Sequence, residues 1–152
     1  MAGIQDRRGF MWFATKEGLN RFDGTQFRIF SHNQTASNSL PHNFILSLCE
    51  DNEGWIWIGT ARGICYYLPD NDYFGTIENE NFQIDRAVVD IAADNQNNIW
   101  LATFSGTYKY NKQTTQLTYY PGSKYFLPKR FTLTKAGDVW ISAADGSIYK
   151  YN

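Results

Sequence analysis

A chain of 152 residues has the size of one ordinary domain, and 43% apolar residues are enough to build a core. The formal charge of -1, from 14 basic and 15 acidic residues, leaves no basic excess to displace counterions, so a nucleic-acid backbone is excluded as partner. No apolar run approaches about 18 residues, which excludes a membrane span and direct membrane contact in this segment, and the opening Met1-Ala2-Gly3 does not begin a signal-peptide pattern.

One pattern is written four times. Its first copy runs Asp6, Gly9, Trp12, Thr15, Gly18, Phe22, preceded only by Gly3–Gln5 as a short leading strand. The second copy is the clearest. Phe44–Glu50 is an apolar run of strand length, Asp51–Gly54 a tight turn, Trp55–Thr60 a strand of β-formers, and Ile64–Tyr67 a third strand after Gly63. A fourth, less regular strand falls within Tyr73–Ile84. The third copy predicts strands at Ala87–Ala93, Ile99–Thr103, Gly106–Tyr110 and Leu117–Tyr120. The fourth is looser, with Gly137, Trp140, Ala143 and Gly146, and stops after its third strand. No stretch has a convincing helical period; Pro41 before a partly β-branched run makes residues 40–49 a strand opening.

Trp12, Trp57, Trp100 and Trp140 are 45, 43 and 40 residues apart, and Gly18, Gly63, Gly106 and Gly146 repeat those spacings. A period of 40 to 45 residues containing only strand and turn signals predicts an all-β fold of four-stranded antiparallel propeller blades. The approximate blades are residues 1–40, 41–84, 85–127 and 128–152, the first and last incomplete. Ile56 and Ile58 point to one face of their strand and Trp55 and Trp57 to the other, so both faces must be covered, as stacking between blades does. The repeated tryptophans are therefore core, not sugar platforms. The repeated glycines mark a turn needing positive φ, which the repeated threonines can hydrogen-bond. Trp55 stands where the other copies have Phe10, Asn98 and Asp138, so it reads as a peripheral hydrophobe or a partner contact.

Cys49 and Cys65 fall on the first and third strands of one blade, about 9 to 10 Å apart against a disulfide limit of about 7 Å. Two buried free thiols are expected. The Asp-rich turns lack the alternating ligands of a calcium loop, His32 and His42 lack zinc spacing, and Glu78 and Glu80 sit in a polar loop as solvated carboxylates. No nucleophile elbow or phosphate loop is written, so no catalytic residue, metal or cofactor is expected.

About four repeats make an open arc. The expectation is a piece of a longer protein whose remaining blades complete the ring, or which pairs with a second copy of itself. Binding on such a scaffold falls to the variable loops. The loops leading into the blades are Ser31–Pro41, Ile77–Asp85 and Gly122–Pro128. With the second-to-third turns they share one face, which makes His42, Asn43, Arg62, Arg86, Phe104, Tyr125, Lys129 and Arg130 the candidate ligand residues, with Lys16 and Phe126 beside them. Cationic donors with aromatics fit a carbohydrate, including an anionic one.

The pattern D-x-x-G-x-x-W-x-x-T-x-x-G-[LI]-x-x-[YF], with Ser39-Leu40-Pro41-His42-Asn43 before the second copy and Arg21-Phe22-Asp23-Gly24 closing the first, resembles the two-component regulator propeller repeat. The resemblance implies seven-bladed propellers, usually two in tandem, in the periplasmic sensor half of hybrid histidine kinases of Bacteroidetes. It implies a non-catalytic sensor fragment whose ligand is an oligosaccharide or other glycan breakdown product, with its parent anchored in the inner membrane. The alternatives are a protein-interaction scaffold without a small ligand and, behind it, a propeller hydrolase or lyase.

Overall fold

The computed structural model describes residues 2–77, 86–121 and 127–151. Fifteen strands and no helix occur among them, arranged as four separate antiparallel meanders. Blade 1 holds β1 (Gly3–Gln5), β2 (Met11–Ala14), β3 (Leu19–Phe22) and β4 (Phe27–Phe30). Blade 2 holds β5 (Ile45–Glu50), β6 (Ile56–Thr60), β7 (Gly63–Leu68) and β8 (Tyr73–Thr76). Blade 3 holds β9 (Val88–Ala93), β10 (Asn98–Thr103), β11 (Gly106–Asn111) and β12 (Gln116–Pro121). Blade 4 has β13 (Pro128–Leu133), β14 (Val139–Ala143) and β15 (Ile148–Tyr151). This is an arc of a β-propeller.

The core lies between the blades. Three apolar clusters occupy the three junctions. On β6, Ile56 and Ile58 join the cluster shared with blade 1 while Trp57 joins the cluster shared with blade 3. On β10, Ile99 and Leu101 face back and Trp100 and Ala102 face forward in the same way. Trp12, Trp57 and Trp100 therefore each pack on the following blade and are almost fully buried. There each meets a tyrosine at or next to the end of the next blade's third strand. The ring pairs are Trp12–Tyr67 at 5.4 Å, Trp57–Tyr110 at 6.0 Å and Trp100–Tyr151 at 5.2 Å. A buried indole withdraws about 200 Å² from water, worth about 5 kcal/mol before ordering costs.

The aspartate six residues before each of these tryptophans completes the unit. Its Oδ2 accepts the indole N–H, at 2.7 Å for Asp6–Trp12, 2.8 Å for Asp51–Trp57 and 2.9 Å for Asp94–Trp100. Its Oδ1 accepts the backbone N–H groups two and four residues on, as in Glu53 and Trp55 for Asp51. The same hairpin turn needs a left-handed residue, supplied by Gly54 (φ 84) in blade 2 and by Asn97 (φ 61) in blade 3, asparagine being the residue that tolerates it best after glycine. Sequence reading took these aspartates as turn formers and missed their hold on the indole. In blade 4 the position is Thr134, and Trp140 is only half-buried.

The thiols are free, Cys65 buried and Cys49 partly so. Desolvation pushes Cys49 up to about 12 and raises Cys65 as well.

Candidate functional site

The second-to-third strand turns are closed as their residues require. Gly18 sits at φ 128 with no room for a Cβ, which would lie 2.4 Å from the Phe30 carbonyl oxygen. Thr15, Thr60 and Thr103 donate their hydroxyls to the carbonyls of Gly18, Gly63 and Gly106 at 2.7, 3.0 and 3.0 Å. These turns are stitched to the start of the innermost strands. The N–H of Ile45 donates to the Thr15 carbonyl at 2.9 Å, that of Gly63 to the Arg86 carbonyl at 2.9 Å, and that of Ala144 to the Leu127 carbonyl at 2.9 Å. Turn and leading segment thereby form one continuous face.

Arg62, Arg86, Phe104, Lys129 and Arg130 are all exposed, and they stand on the turns or strand starts of this face. Arg62 and Arg86 are brought together by the Gly63–Arg86 backbone bond. Phe104 is 59% exposed. Lys16 reaches the Phe44 ring, its Nζ 5.8 Å from the centroid. His42 and Asn43 are half-buried and already engaged: His42 Nδ1 accepts the Phe44 N–H at 3.0 Å, and Asn43 Oδ1 accepts the His32 N–H at 2.6 Å. They shape the leading loop of blade 2. Tyr125, with Phe126, Glu78 and Glu80, lies outside the described residues.

Two features of this end were not read from sequence. The first is a β-bulge at the same point of three innermost strands: Leu46, Val89 and Lys129 are skipped in the ladders that pair β5 with β6, β9 with β10 and β13 with β14. A bulge re-aims side chains and twists the strand away from regular pairing. Lys129, exposed at one of these bulges, is thus a candidate whose direction a period-two reading could not give. The second is the sewing of adjacent innermost strands. Ser47 donates Oγ–H to the Val88 carbonyl at 2.9 Å, so tightly that a Cβ on Gly59 would lie 2.1 Å from Ser47 Oγ. One blade on, Asp90 accepts the Phe131 N–H at 2.6 Å. Burial raises the Asp90 carboxyl, and the N–H groups of Phe131 and Ile91 work against that rise.

The opposite face carries the first-to-second and third-to-fourth turns, and the ion pairs of the described residues gather toward it. Arg7 binds Glu50 at 2.8 Å, Arg8 pairs with Asp70, and Lys150 binds Asp138 at 2.9 Å. Lys112 is the buried member, its side chain 7% exposed, with Nζ 2.5 Å from Asp51 Oδ2, 3.0 Å from Glu53 Oε2 and 3.7 Å from the centre of a Trp55 ring. Trp55 is therefore half-buried, stacked on Trp57 at 6.2 Å and capped by a cation.

Residues 39–62 match the family described as two component regulator propeller. This chain carries a two-component regulator propeller repeat. The matched stretch contains the leading loop of blade 2, the Asp51 turn, Trp57 and the Thr60 turn. Over 88 residues the chain is 33% identical to histidine kinase P4 of Formosa agariphila, a stretch covering 53% of this chain and 6% of that protein. The extracellular domain of the hybrid two component system BT3049 of B. thetaiotaomicron superposes with a TM-score of 0.81 at 28% identity, covering 99% of this chain and 23% of that one. The corresponding domain of BT4673 gives 0.78 at 25% identity over 94% of this chain and 19% of that one. The propeller repeats described here thus span a small part of the proteins they resemble.

Proposed function

We propose that this segment belongs to the extracytoplasmic, periplasmic sensing part of a two-component signalling protein with a kinase elsewhere in its chain. On this reading, the face of leading segments and second-to-third turns binds an oligosaccharide without catalysing a reaction on it. The observation that carries the reading is the joining of these elements by backbone bonds. These bonds join the turn of Arg62 to the segment of Arg86, and the turn of blade 4 to the segment that leads into Lys129 and Arg130, and the exposed Phe104 stands on the corresponding turn of blade 3. Carbohydrate recognition needs such directed donors with apolar ring surface. The resemblance to extracellular domains of hybrid two-component systems supports the sensing role and the compartment.

The test is calorimetric titration against a panel of neutral and acidic oligosaccharides. Saturable heat with one sugar, lost in Arg86→Ala and in Arg130→Ala, is the expected result. Silence across the panel from an assembly in which all open blade faces are covered overturns the ligand assignment. It leaves a scaffold that docks protein.

A further inference from the structure

The charged side chains of the described residues are sorted between the two faces. Toward the face opposite the candidate site, Arg7, Arg8, Lys112 and Lys150 each bind a carboxylate, and Lys135 is the cation left over there. On the candidate face, none of Lys16, Arg62, Arg86, Lys129 and Arg130 forms an ion pair among the described residues. Its described acids at the turns are Glu17 in blade 1 and Asp145 in blade 4, and Asp145 is engaged with the Ser147 N–H at 2.9 Å. Neither stands on the elements that carry Arg62 and Arg86. Glu78, Glu80 and Asp85 lie outside the described residues.

Three elements of this face meet at one point. The Gly63 N–H bond to the Arg86 carbonyl, at 2.9 Å, fixes the turn of Arg62 against the segment of Arg86. Two residues on, Val88 pairs with Thr103, which brings the same segment beside the turn that carries Phe104. Arg86 thus stands between the turns of Arg62 and Phe104, and all three residues are exposed. The Phe104 turn has an aromatic surface of its own. Tyr119 stacks on Tyr108 with ring centroids 4.8 Å apart and donates its hydroxyl to the Ser105 carbonyl at 2.6 Å. It also lies against Gly106, where a Cβ would come 2.7 Å from the ring. The ring is held from one side and is still 44% exposed, with Phe104 at 59% two residues from Gly106. Blade 3 alone is built this way: the other blades have Lys16, Ala61 and Ala144 in place of Phe104, and Ile29 and Thr76 stand in place of Tyr119.

Two guanidiniums on joined elements, with no described carboxylate between them, call for an anion, since each planar fork donates paired N–H groups to carboxylate or sulfate oxygens. Beside them, rings fixed from behind offer flat apolar surface to the C–H face of a sugar. A neutral ligand covering this point would desolvate both charges without compensation. We propose that the point selects an acidic oligosaccharide, Arg62 and Arg86 taking the carboxylate or sulfate of one sugar and Phe104 and Tyr119 the ring of its neighbour. This rests on the oligosaccharide reading above and adds to it the charge class of the ligand and the aromatic subsite at Tyr119.

The test is calorimetric titration of this chain with tri-galacturonic acid, with a chondroitin sulfate tetrasaccharide and with neutral galactotriose, at low and high sodium chloride. An acidic ligand is expected to bind saturably, about tenfold or more tighter than galactotriose, and to weaken several-fold at high salt. Tighter binding of the sulfated ligand assigns a sulfate ester, the reverse a carboxylate. Arg62→Gln and Arg86→Gln each cost about tenfold and together remove the preference for acid. Phe104→Ala, a truncation outside the core, weakens the acidic ligand several-fold and leaves its salt dependence as it was. Arg8→Ala, on the opposite face, changes nothing. Galactotriose bound as tightly as the acidic ligands overturns the proposal and leaves the oligosaccharide reading standing. Acidic ligands that still bind the double arginine variant at full strength overturn it too, by placing the anion elsewhere. Silence with all three overturns it as well, and the wider sugar panel then decides whether any ligand reading survives.

Discussion

The junction between blades 2 and 3 and the outward face of blade 4 use the same strand positions with opposite outcomes. Trp57 is fully buried, its N–H held by Asp51 and its ring met by Tyr110 from the next blade. Trp140 is half-buried, has Thr134 where the aspartate belongs, and has Lys150 5.6 Å from its ring. The mirror case is blade 1, where the face without a preceding blade leaves Phe13, Phe27 and Ile29 exposed by 39%, 61% and 65%. The difference teaches that a blade is not a self-sufficient unit. Its tryptophan becomes core only when a following blade brings its tyrosine and apolar strand to it.

The sharpest way to break this comparison is to remove both indoles. Trp57→Ala is expected to cost about 3–5 kcal/mol, the usual range for a buried tryptophan, and Trp140→Ala about 1 kcal/mol or less. Urea unfolding followed by circular dichroism measures both, and equal costs would sink the claim that neighbouring blades make the core. Asp51→Ala comes next. It leaves the Trp57 indole N–H, two backbone N–H groups and the buried Lys112 without their acceptor, for an expected loss of about 3 kcal/mol in the same assay. The exposed ends predict self-association of the isolated chain, one copy's open face covering another's. Sedimentation should show concentration-dependent growth in mass, reduced by Phe27→Glu combined with Ile29→Lys. A strict monomer at high concentration contradicts it.

The thiols probe the blade interior. Cys49 is pushed from 9.0 up to about 12 by burial, and Cys65 is raised by the same cause. Neither should react with a thiol-specific disulfide reagent at pH 8 until the chain unfolds. The linked stability change has a definite sign. Above about pH 9 the unfolded thiols ionise while the folded ones keep their protons, so stability falls as pH rises toward 12. A flat stability profile between pH 9 and 11 would show that these thiols are more hydrated than their burial implies. The smallest expected effect is a gain. Thr134→Asp restores the missing acceptor for Trp140 and should add about 0.5–1 kcal/mol by urea unfolding, since the site is part-exposed.

Much of the fold was legible because its signals are local and repeated. The strand of blade 2 predicted at Trp55–Thr60 is observed at Ile56–Thr60, and that predicted at Ile64–Tyr67 at Gly63–Leu68. Positive φ at Gly18, Gly63, Gly106 and Gly146 follows from turns that close within four residues, and the threonine hydroxyl bonds are equally short-range. The candidate face was legible only as a set of loops. That His42 and Asn43 spend their acceptors on Phe44 and His32 depends on how one loop folds back on itself. The aspartate–indole bond could have been found, since Asp6, Asp51 and Asp94 each precede a repeated tryptophan by six residues.

By itself the order of residues determined a meander of short strands with a tryptophan and a glycine at constant phase, since each strand and turn is set by neighbours a few positions away. Only the tertiary structure decided which blade each tryptophan faces, where the bulges turn Leu46, Val89 and Lys129 out of the ladder, and that Lys112 of blade 3 reaches Asp51 of blade 2. The bulges depend on pairing between strands about 15 positions apart and the other outcomes on residues more than 40 apart, and contacts at the longer range are set by how sheets stack in space, which no local pattern encodes.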